Sequence, residues 1–318
     1  MPSTRRSLAR GLLGAALAPA ALAPVALGAM ARPAAAQAGA AASAAAGGAA
    51  AIADIRGHLR RARAAVPAGR VRARIALDRT LERLDDLAIE PSAGRLILVN
   101  IPAAELIAYD NGREVMRSRV VVGANRTRTP QLATFVTAAR CNPPWYVPAS
   151  IVPEVRAAGL TGFRWINGKL VQPPGPTNPL GVLRIGLLDS DGIFLHGTNS
   201  PAAFSRASRA LSHGCVRVER IREVAAWLLD RTTTSLQATL DTGRTYELPP
   251  TQEVQVALAY LSAWPDSAGR VVTYADPYGL DEPGTRRAPY RRVSRPVLQT
   301  PEEAETTARP PPQEDNPL

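Results

Sequence analysis

Residues 212–217 read Ser-His-Gly-Cys-Val-Arg, and this stretch decides the fold together with residues 196–198, His-Gly-Thr. Nineteen positions separate His196 from Cys215. His196 follows the apolar run 193–195, which predicts a short strand that ends at the histidine. A thiol attacks a carbonyl as the thiolate, so it needs a lowered pKa or an adjacent base, and an imidazole at a strand end is held rigidly enough to serve. The two segments therefore predict a Cys–His pair that folding brings together.

The residues around the cysteine suit the same chemistry. Gly214 lets the backbone turn tightly and keeps bulk away from the sulfur, and backbone N–H groups of such a turn can donate to an oxyanion. Arg217 can bind a carboxylate or stabilise the loop through hydrogen bonds. The hydroxyls of Thr198 and Ser212 are weaker hydrogen-bonding candidates, because a serine also suits a turn. A buried cysteine is often an inert core residue, so these residues alone leave a structural thiol as the alternative.

The two motifs, in this order, resemble those of the L,D-transpeptidases with a YkuD-type catalytic domain. That family's signature joins a His-Gly-Thr element to Ser-His-Gly-Cys-(Val/Ile)-Arg. The likeness extends over residues 95–280 and is nearest the larger, YcbB-like branch; it is carried by residues 99–103, 119–123, 129–130, 142–148, 172–181, 204–211 and 276–279. The resemblance implies a mostly β fold, a β-sandwich-like YkuD catalytic domain with short helices, preceded by a short α-helical segment.

The resemblance also implies roles for individual residues. Cys215 is the nucleophile and His196 the general base, its ring oriented by a nearby backbone carbonyl such as that of Gly197. His213 is an accessory residue near the oxyanion or the substrate. The remaining accessory positions are Gly197, Gly214, Arg217 and Ser212. No cofactor is expected and no metal site, because two histidines and one cysteine without a carboxylate at ligand spacing are a poor zinc site.

A family of this kind implies a substrate in the bacterial cell wall. Its members cleave a peptidoglycan stem tetrapeptide after the third, L-centred residue and release D-alanine. The acyl group then passes to a diaminopimelate amine, giving a 3→3 cross-link, to a lipoprotein lysine, or to an exogenous D-amino acid. Water as the acceptor gives one alternative, a carboxypeptidase or a hydrolase of wall–lipoprotein links. The alternative of another class is a non-catalytic wall-binding protein.

The charge of the chain is strongly basic. Lysine and arginine number 38 against 27 acidic residues, a formal net charge of +11, and Lys169 is the only lysine. Such a surface attracts anionic polymers at long range. The arginines are scattered, however, and no nucleic-acid-binding motif occurs, so nucleic acid is not an expected partner.

Cys141 and Cys215 are the only cysteines. In an oxidising compartment, two cysteines are able to form one disulfide bond. That bond would block the nucleophile, so we expect Cys141 to be a free thiol in the core.

The N-terminus predicts export. Arg5 and Arg6 precede an Ala-rich apolar run over residues 11–30, and Ala-Gln-Ala at 36–38 forms a cleavage site. The pair of arginines is typical of a twin-arginine signal, although a Sec signal fits nearly as well. Both routes lead to the periplasm. Pro19 and Pro24 interrupt the run, which is only moderately hydrophobic, so no stable membrane span is expected.

These observations divide the chain into five parts. We expect a signal peptide at 1–38, an Ala/Gly linker at 39–51, and a helical segment at 52–91 that Pro67 and Gly69 split into two helices. The catalytic domain is expected at 92–282, with a hairpin turn at Asn111-Gly112. Residues 283–318 are rich in Pro, Arg and Glu and predict a disordered tail.

Overall fold

The structure is a computed structural model that describes residues 47–87, 94–286 and 288–294. Its helices are α1 Gly47–Ala65, α2 Val71–Leu84, α3 Val152–Ala157, α4 Ile221–Leu228 and α5 Thr233–Asp241, with a 3-10 helix at Pro201–Ser205. The first eight strands are β1 Arg95–Asn100, β2 Glu105–Asp110, β3 Arg113–Gly123, β4 Gln131–Cys141, β5 Trp145–Tyr146, β6 Arg164–Ile166, β7 Lys169–Gln172 and β8 Leu183–Leu187. The others are β9 Leu195–His196, β10 Ala210–Ser212, β11 Val216–Val218, β12 Tyr246–Leu248, β13 Val254–Ala259, β14 Ala263–Pro265, β15 Val271–Thr273 and β16 Tyr290–Arg292.

Two long strands join the halves of the main sheet. β3 pairs with β2 through residues 113–119 and with β11 through Val120 and Val121. β4 pairs with β13 through residues 132–135 and with β8 further along, with a register shift between Val136 and Ala139. A bulge bends and twists a strand, which lets it pass from one sheet to another. The result is a sandwich whose two sheets share strands at two corners, so the predicted mostly β fold is confirmed.

The strands bury both of their faces near the N-terminal helices. Successive side chains of a strand point to opposite faces. On β1, Ile97 and Val99 join the core between the sheets, whereas Leu96 and Leu98 join a second cluster on the outer face. Helices α1 and α2 cover that outer face with a stripe that includes Leu77. Every residue of β1 is consequently buried.

The predicted turn and helix break are both present. Asn111 and Gly112 connect β2 to β3 with φ values of 47° and 77°, as a two-residue hairpin of the left-handed type requires. Helix α1 ends at Ala65 and α2 begins at Val71, so the break lies at Pro67 and Gly69. No helix of the described ranges is long and apolar enough to cross a bilayer.

Two of the predicted boundaries were wrong. Residues 47–51, assigned to a linker, belong to α1, because alanine favours the helix once the amphipathic stretch after it nucleates one. Residues 290–292, assigned to a disordered tail, form β16 and pair in parallel with the start of β4. The signal peptide, the rest of the linker, residues 88–93 and the tail from 295 lie outside the described residues.

Residues 145–172 form a small separate unit, which we call the side lobe. Its sheet has the order β5-β7-β6, and α3 packs on it through Val147, Val155 and Leu170. The Pro-Pro sequence before Trp145 keeps this segment out of the main sheet, because proline cannot donate to a ladder. The side lobe is therefore held to the sandwich by its ends and by side-chain contacts.

Candidate active site

Strand register brings the predicted nucleophile and base to one face of the sheet. β9 and β11 are adjacent and parallel, with His196 opposite Arg217. Cys215 precedes β11 directly and lies two positions before Arg217, so its side chain shares the face of Arg217 and His196. On the other side of β9, Arg184 of β8 is paired with His196. The sheet thus gathers a thiol, an imidazole and two guanidinium groups.

A tight turn holds Cys215 at the start of β11. Gly214 has φ of 115°, a region that glycine alone enters without strain, and an added Cβ would lie 3.3 Å from Ile193 Cδ1. Ser212 is buried and bridges the turn: its hydroxyl donates to the Cys215 carbonyl at 2.5 Å and accepts from the Gly214 N–H at 3.1 Å. Ser212 therefore fixes the backbone of the turn and has no described contact with the thiol.

A buried hydrogen-bond chain supports this turn from behind. The hydroxyl of Thr129 donates to the Gly214 carbonyl at 2.7 Å. The Tyr278 hydroxyl accepts from the Thr129 N–H at 3.1 Å and donates to the Gly123 carbonyl at 2.7 Å. Tyr278 N–H in turn donates to the Tyr260 hydroxyl at 3.0 Å. The last segment of the sandwich thus sets the position of the nucleophile through three side chains.

Replacing Tyr278 with phenylalanine is expected to lower the free energy of unfolding by about 1–3 kcal/mol, because it leaves the buried Thr129 N–H and Gly123 carbonyl unsatisfied. Urea unfolding followed by fluorescence measures this loss. Tyr274→Phe is the matched control, since Tyr274 is only partly buried and makes no described side-chain hydrogen bond. Equal stability of both variants would show that the hydrogen bonds behind Gly214 contribute nothing to the free energy of unfolding.

The Cys215 thiol is partly exposed. It donates to the Gly192 carbonyl, with the sulfur 3.5 Å from the oxygen. Burial raises the pKa of this thiol, and the Phe194 N–H, Arg184 and Arg217 oppose that rise. The sulfur is therefore protonated at neutral pH and needs a base to become a nucleophile.

The His196 side chain is buried, and this burial, with Arg217 nearby, lowers its pKa to about 4. The carbonyls of Gly197 and Leu180 lie close enough to oppose the shift, although Nδ1 has no hydrogen bond of ordinary geometry within the described chain. Among the described residues no hydrogen bond joins the His196 ring to the Cys215 sulfur. The imidazole is neutral at pH 7 and is placed on the face of the thiol.

Gly197 and Thr198 have local structural roles. An added Cβ on Gly197 would lie 3.2 Å from the Leu180 carbonyl, so a larger residue would require this backbone to shift by a few tenths of an ångström. The Thr198 hydroxyl accepts from the Ser200 N–H at 3.0 Å, which closes a turn just before the 3-10 helix. These contacts fix the strand end that carries His196.

His213 contacts the side lobe. Its Nε2 lies 3.1 Å from a carboxylate oxygen of Glu154 on α3, and both side chains are largely exposed. This contact joins the side lobe to the turn that carries Cys215.

The sequence motifs did not identify Glu154, Arg184, Thr129 or Tyr278 as parts of the site. Thr129 and Tyr278 lie within segments that carry the family resemblance. Arg184 is the one charged residue in Leu-Arg-Ile at 183–185, and its register places it on the face away from the core. Cys141 is free and fully buried in the core between the sheets, as expected. Two cavities of the described structure, one next to Asp86 and Tyr290 and one next to Arg231 and Tyr246, lie apart from these residues.

Sequence comparison shows that these elements are similar to a known family. Residues 94–239 match the family described as YkuD, L,D-transpeptidase catalytic domain. A Haemophilus influenzae protein described as a candidate L,D-transpeptidase is 30% identical over 227 residues, which cover 61% of this chain and 46% of that protein. The aligned region thus spans less than half the length of this relative.

Solved structures of similar proteins are more distant. An L,D-transpeptidase from Mycobacterium smegmatis is 16% identical with a TM-score of 0.30, covering 52% of this chain and 59% of that chain. One from Stackebrandtia nassauensis is 16% identical with a TM-score of 0.27, covering 64% of this chain and 75% of that chain. These scores are too low to support an argument, so the assignment depends on the sequence matches. Residues 94–239 of this chain accordingly match the model of the YkuD-type L,D-transpeptidase catalytic domain.

Proposed function

We propose that this protein is an exported, cysteine-dependent L,D-transpeptidase that forms peptidoglycan cross-links through a thioester on Cys215. The observation that carries the proposal is the register of β9 and β11, which gives His196 and the partly exposed Cys215 the same face of the sheet. A thiol that serves only in packing is expected to be fully buried, whereas this thiol is accessible on the same face as a neutral imidazole.

The proposed acylation begins with both groups uncharged. Because the pKa of His196 is lowered to about 4 and that of Cys215 is raised, proton transfer accompanies attack rather than preceding it. The sulfur forms a bond to the carbonyl carbon of the third stem residue while its proton passes to the imidazole. The Gly214 N–H already donates to Ser212, so we assign the oxyanion to the Cys215 N–H.

Collapse of the tetrahedral intermediate breaks the peptide bond. The imidazolium gives its proton to the leaving amine, D-alanine departs, and a thioester to Cys215 remains. An acceptor amine then attacks the thioester and loses a proton to His196, which returns it to the sulfur as the new amide forms. Diaminopimelate is the proposed acceptor, with a lipoprotein lysine or a D-amino acid as further amines of the same kind.

Export to the periplasm completes the proposal, supported by the paired arginines, the apolar run and the Ala-Gln-Ala site of the first 38 residues. Cleavage there gives a mature chain that begins at Gly39 and meets peptidoglycan directly.

Product analysis on purified muropeptides tests the reaction. Incubation of the protein with disaccharide tetrapeptides is expected to release D-alanine and give a 3→3 cross-linked dimer by chromatography and mass spectrometry. The Cys215→Ala variant under the same conditions shows which products need the thiol. If only shortened monomers formed, the protein would be a hydrolase and not a transpeptidase. If the folded protein left the tetrapeptide unchanged, a wall-binding role would be favoured.

A further inference from the structure

Two arginines beside the nucleophile, Arg184 and Arg217, lack the close ion pairs that several other buried arginines of this fold make. Arg83, Arg95 and Arg117 are largely buried and hold Asp281, Asp110 and Glu105 at 2.7, 3.1 and 2.8 Å. Such pairing is what the cost of burying a charge demands. Arg209 also lacks a described ion pair, but the Ala103 and Ala104 carbonyls accept its hydrogen bonds. Arg184 and Arg217 depart from this pairing on one face of the sheet, where an anion would supply the missing acceptor.

Arg184 is the first departure. It stacks on the ring of Phe194, with its guanidinium carbon 4.4 Å from the ring centroid, and its Nε is buried without a partner in the described structure. Its nearest carboxylate is Glu247 at 3.8 Å. Glu247 already forms a hydrogen bond with Arg140, and the positive charge of Arg140 repels that of Arg184. The guanidinium is thus fixed in place with donors left over.

Arg217 is the second departure. Its side chain is partly buried, yet it makes no hydrogen bond and no ion pair within the described residues. Burial and the neighbouring Cys215 are the influences on its pKa, which burial lowers. His196 lies between the two arginines in the sheet, paired with Arg217 on one side and with Arg184 on the other.

We propose that Arg184 and Arg217 form a carboxylate-binding site that flanks the thiol and positions a free carboxylate of the peptide substrate next to the bond under attack. Arginine suits this task because its planar group donates two parallel hydrogen bonds to a carboxylate. The inference rests on the proposed function. On a stem tetrapeptide the carboxylate has two sources, the C-terminus of the leaving residue and the side chain of the third residue.

Alkylation by two probes of nearly equal size tests the site without any wall substrate. Iodoacetate carries a carboxylate and iodoacetamide is neutral, and both react with the same thiolate, so the ratio of their rates at Cys215 is independent of the thiol pKa. We expect Arg184→Gln and Arg217→Gln each to lower the iodoacetate-to-iodoacetamide ratio about tenfold, the loss of a hydrogen bond to a charged group. Arg113→Gln on the exposed β2–β3 turn removes the same charge and is expected to leave the ratio unchanged.

The outcomes separate this inference from the proposed function. A ratio that Arg184→Gln and Arg113→Gln change equally, with iodoacetamide still reactive, would overturn the carboxylate site and leave the nucleophile intact. Absence of reaction with both probes in the folded wild-type protein would instead contradict the proposed function. A thermal melt of each variant checks that it is folded, because the thiol of an unfolded chain also reacts with iodoacetamide.

Peptides identify the carboxylate. Acylation of Cys215 is compared for the free tetrapeptide, a tetrapeptide amidated at its C-terminus, and one amidated on the side chain of the third residue. The rate is expected to fall for the peptide in which the carboxylate bound by the two arginines has become an amide. In Arg184→Gln that difference is expected to shrink. Equal acylation by both amidated peptides and the free acid in the wild-type protein would contradict the site.

Discussion

Replacing Cys215 with alanine is expected to lower acyl transfer at least about 10³-fold, because no other group on this face can form the thioester. The fold is expected to survive, since the side chain is partly exposed and its hydrogen bond to the Gly192 carbonyl is long. Release of D-alanine from a stem tetrapeptide measures the activity, and a thermal melt measures the fold.

Cys141→Ala is the matched control for this change. Cys141 is the other free thiol, fully buried in the core, so its loss is expected to reduce stability and to retain activity at temperatures below the melt. Release of D-alanine by Cys215→Ala at the wild-type rate would remove the thiol from the mechanism.

His196→Gln is expected to have the second largest effect, a loss of about 10²- to 10⁴-fold at neutral pH, the range for a general base. Because the pKa of His196 is lowered to about 4, the wild-type imidazole stays unprotonated and able to accept a proton at every pH above that value. Without this base, the variant reacts only through thiolate that forms by spontaneous loss of the proton. The raised pKa of Cys215 makes that thiolate scarce at pH 7. Its rate is therefore expected to rise about tenfold per pH unit up to the thiol pKa, while the wild-type rate stays nearly flat.

Rates of acylation between pH 5 and pH 9 check this profile. His58→Gln is the control, since His58 is exposed on α1 and its loss is expected to change neither the rate nor its pH dependence. If the His196 variant kept a flat profile, another group would be the base.

The signature residues could be predicted from sequence because they depend on local features. An apolar run that ends in His-Gly-Thr predicts a strand that presents His196, and Gly214 predicts the turn before Cys215. The hairpin at Asn111 is equally local, since its two residues alone determine the turn. The conformation of these short segments depends mainly on neighbouring residues in the chain, so these predictions needed no knowledge of distant contacts.

The rest of the site comes from long-range pairing that no local pattern encodes. Tyr278 reaches the nucleophile turn through Thr129, 149 residues earlier in the chain. Arg184 reaches His196 only because β8 and β9 pair in one register, and a shift of one residue would send it to the core. The helical start at residues 47–51 was missed because Ala/Gly composition alone does not separate a linker from a helix that packs on a sheet.

The most direct test of the account is the mass of the protein caught during turnover with a stem tetrapeptide. Acid quenching and intact mass spectrometry are expected to show an adduct equal to the tetrapeptide minus D-alanine, and digestion is expected to place it on the peptide that contains Cys215. An adduct on Cys141 or on a hydroxyl residue, or D-alanine release without any covalent species, would contradict the claim that this thiol carries the acyl group.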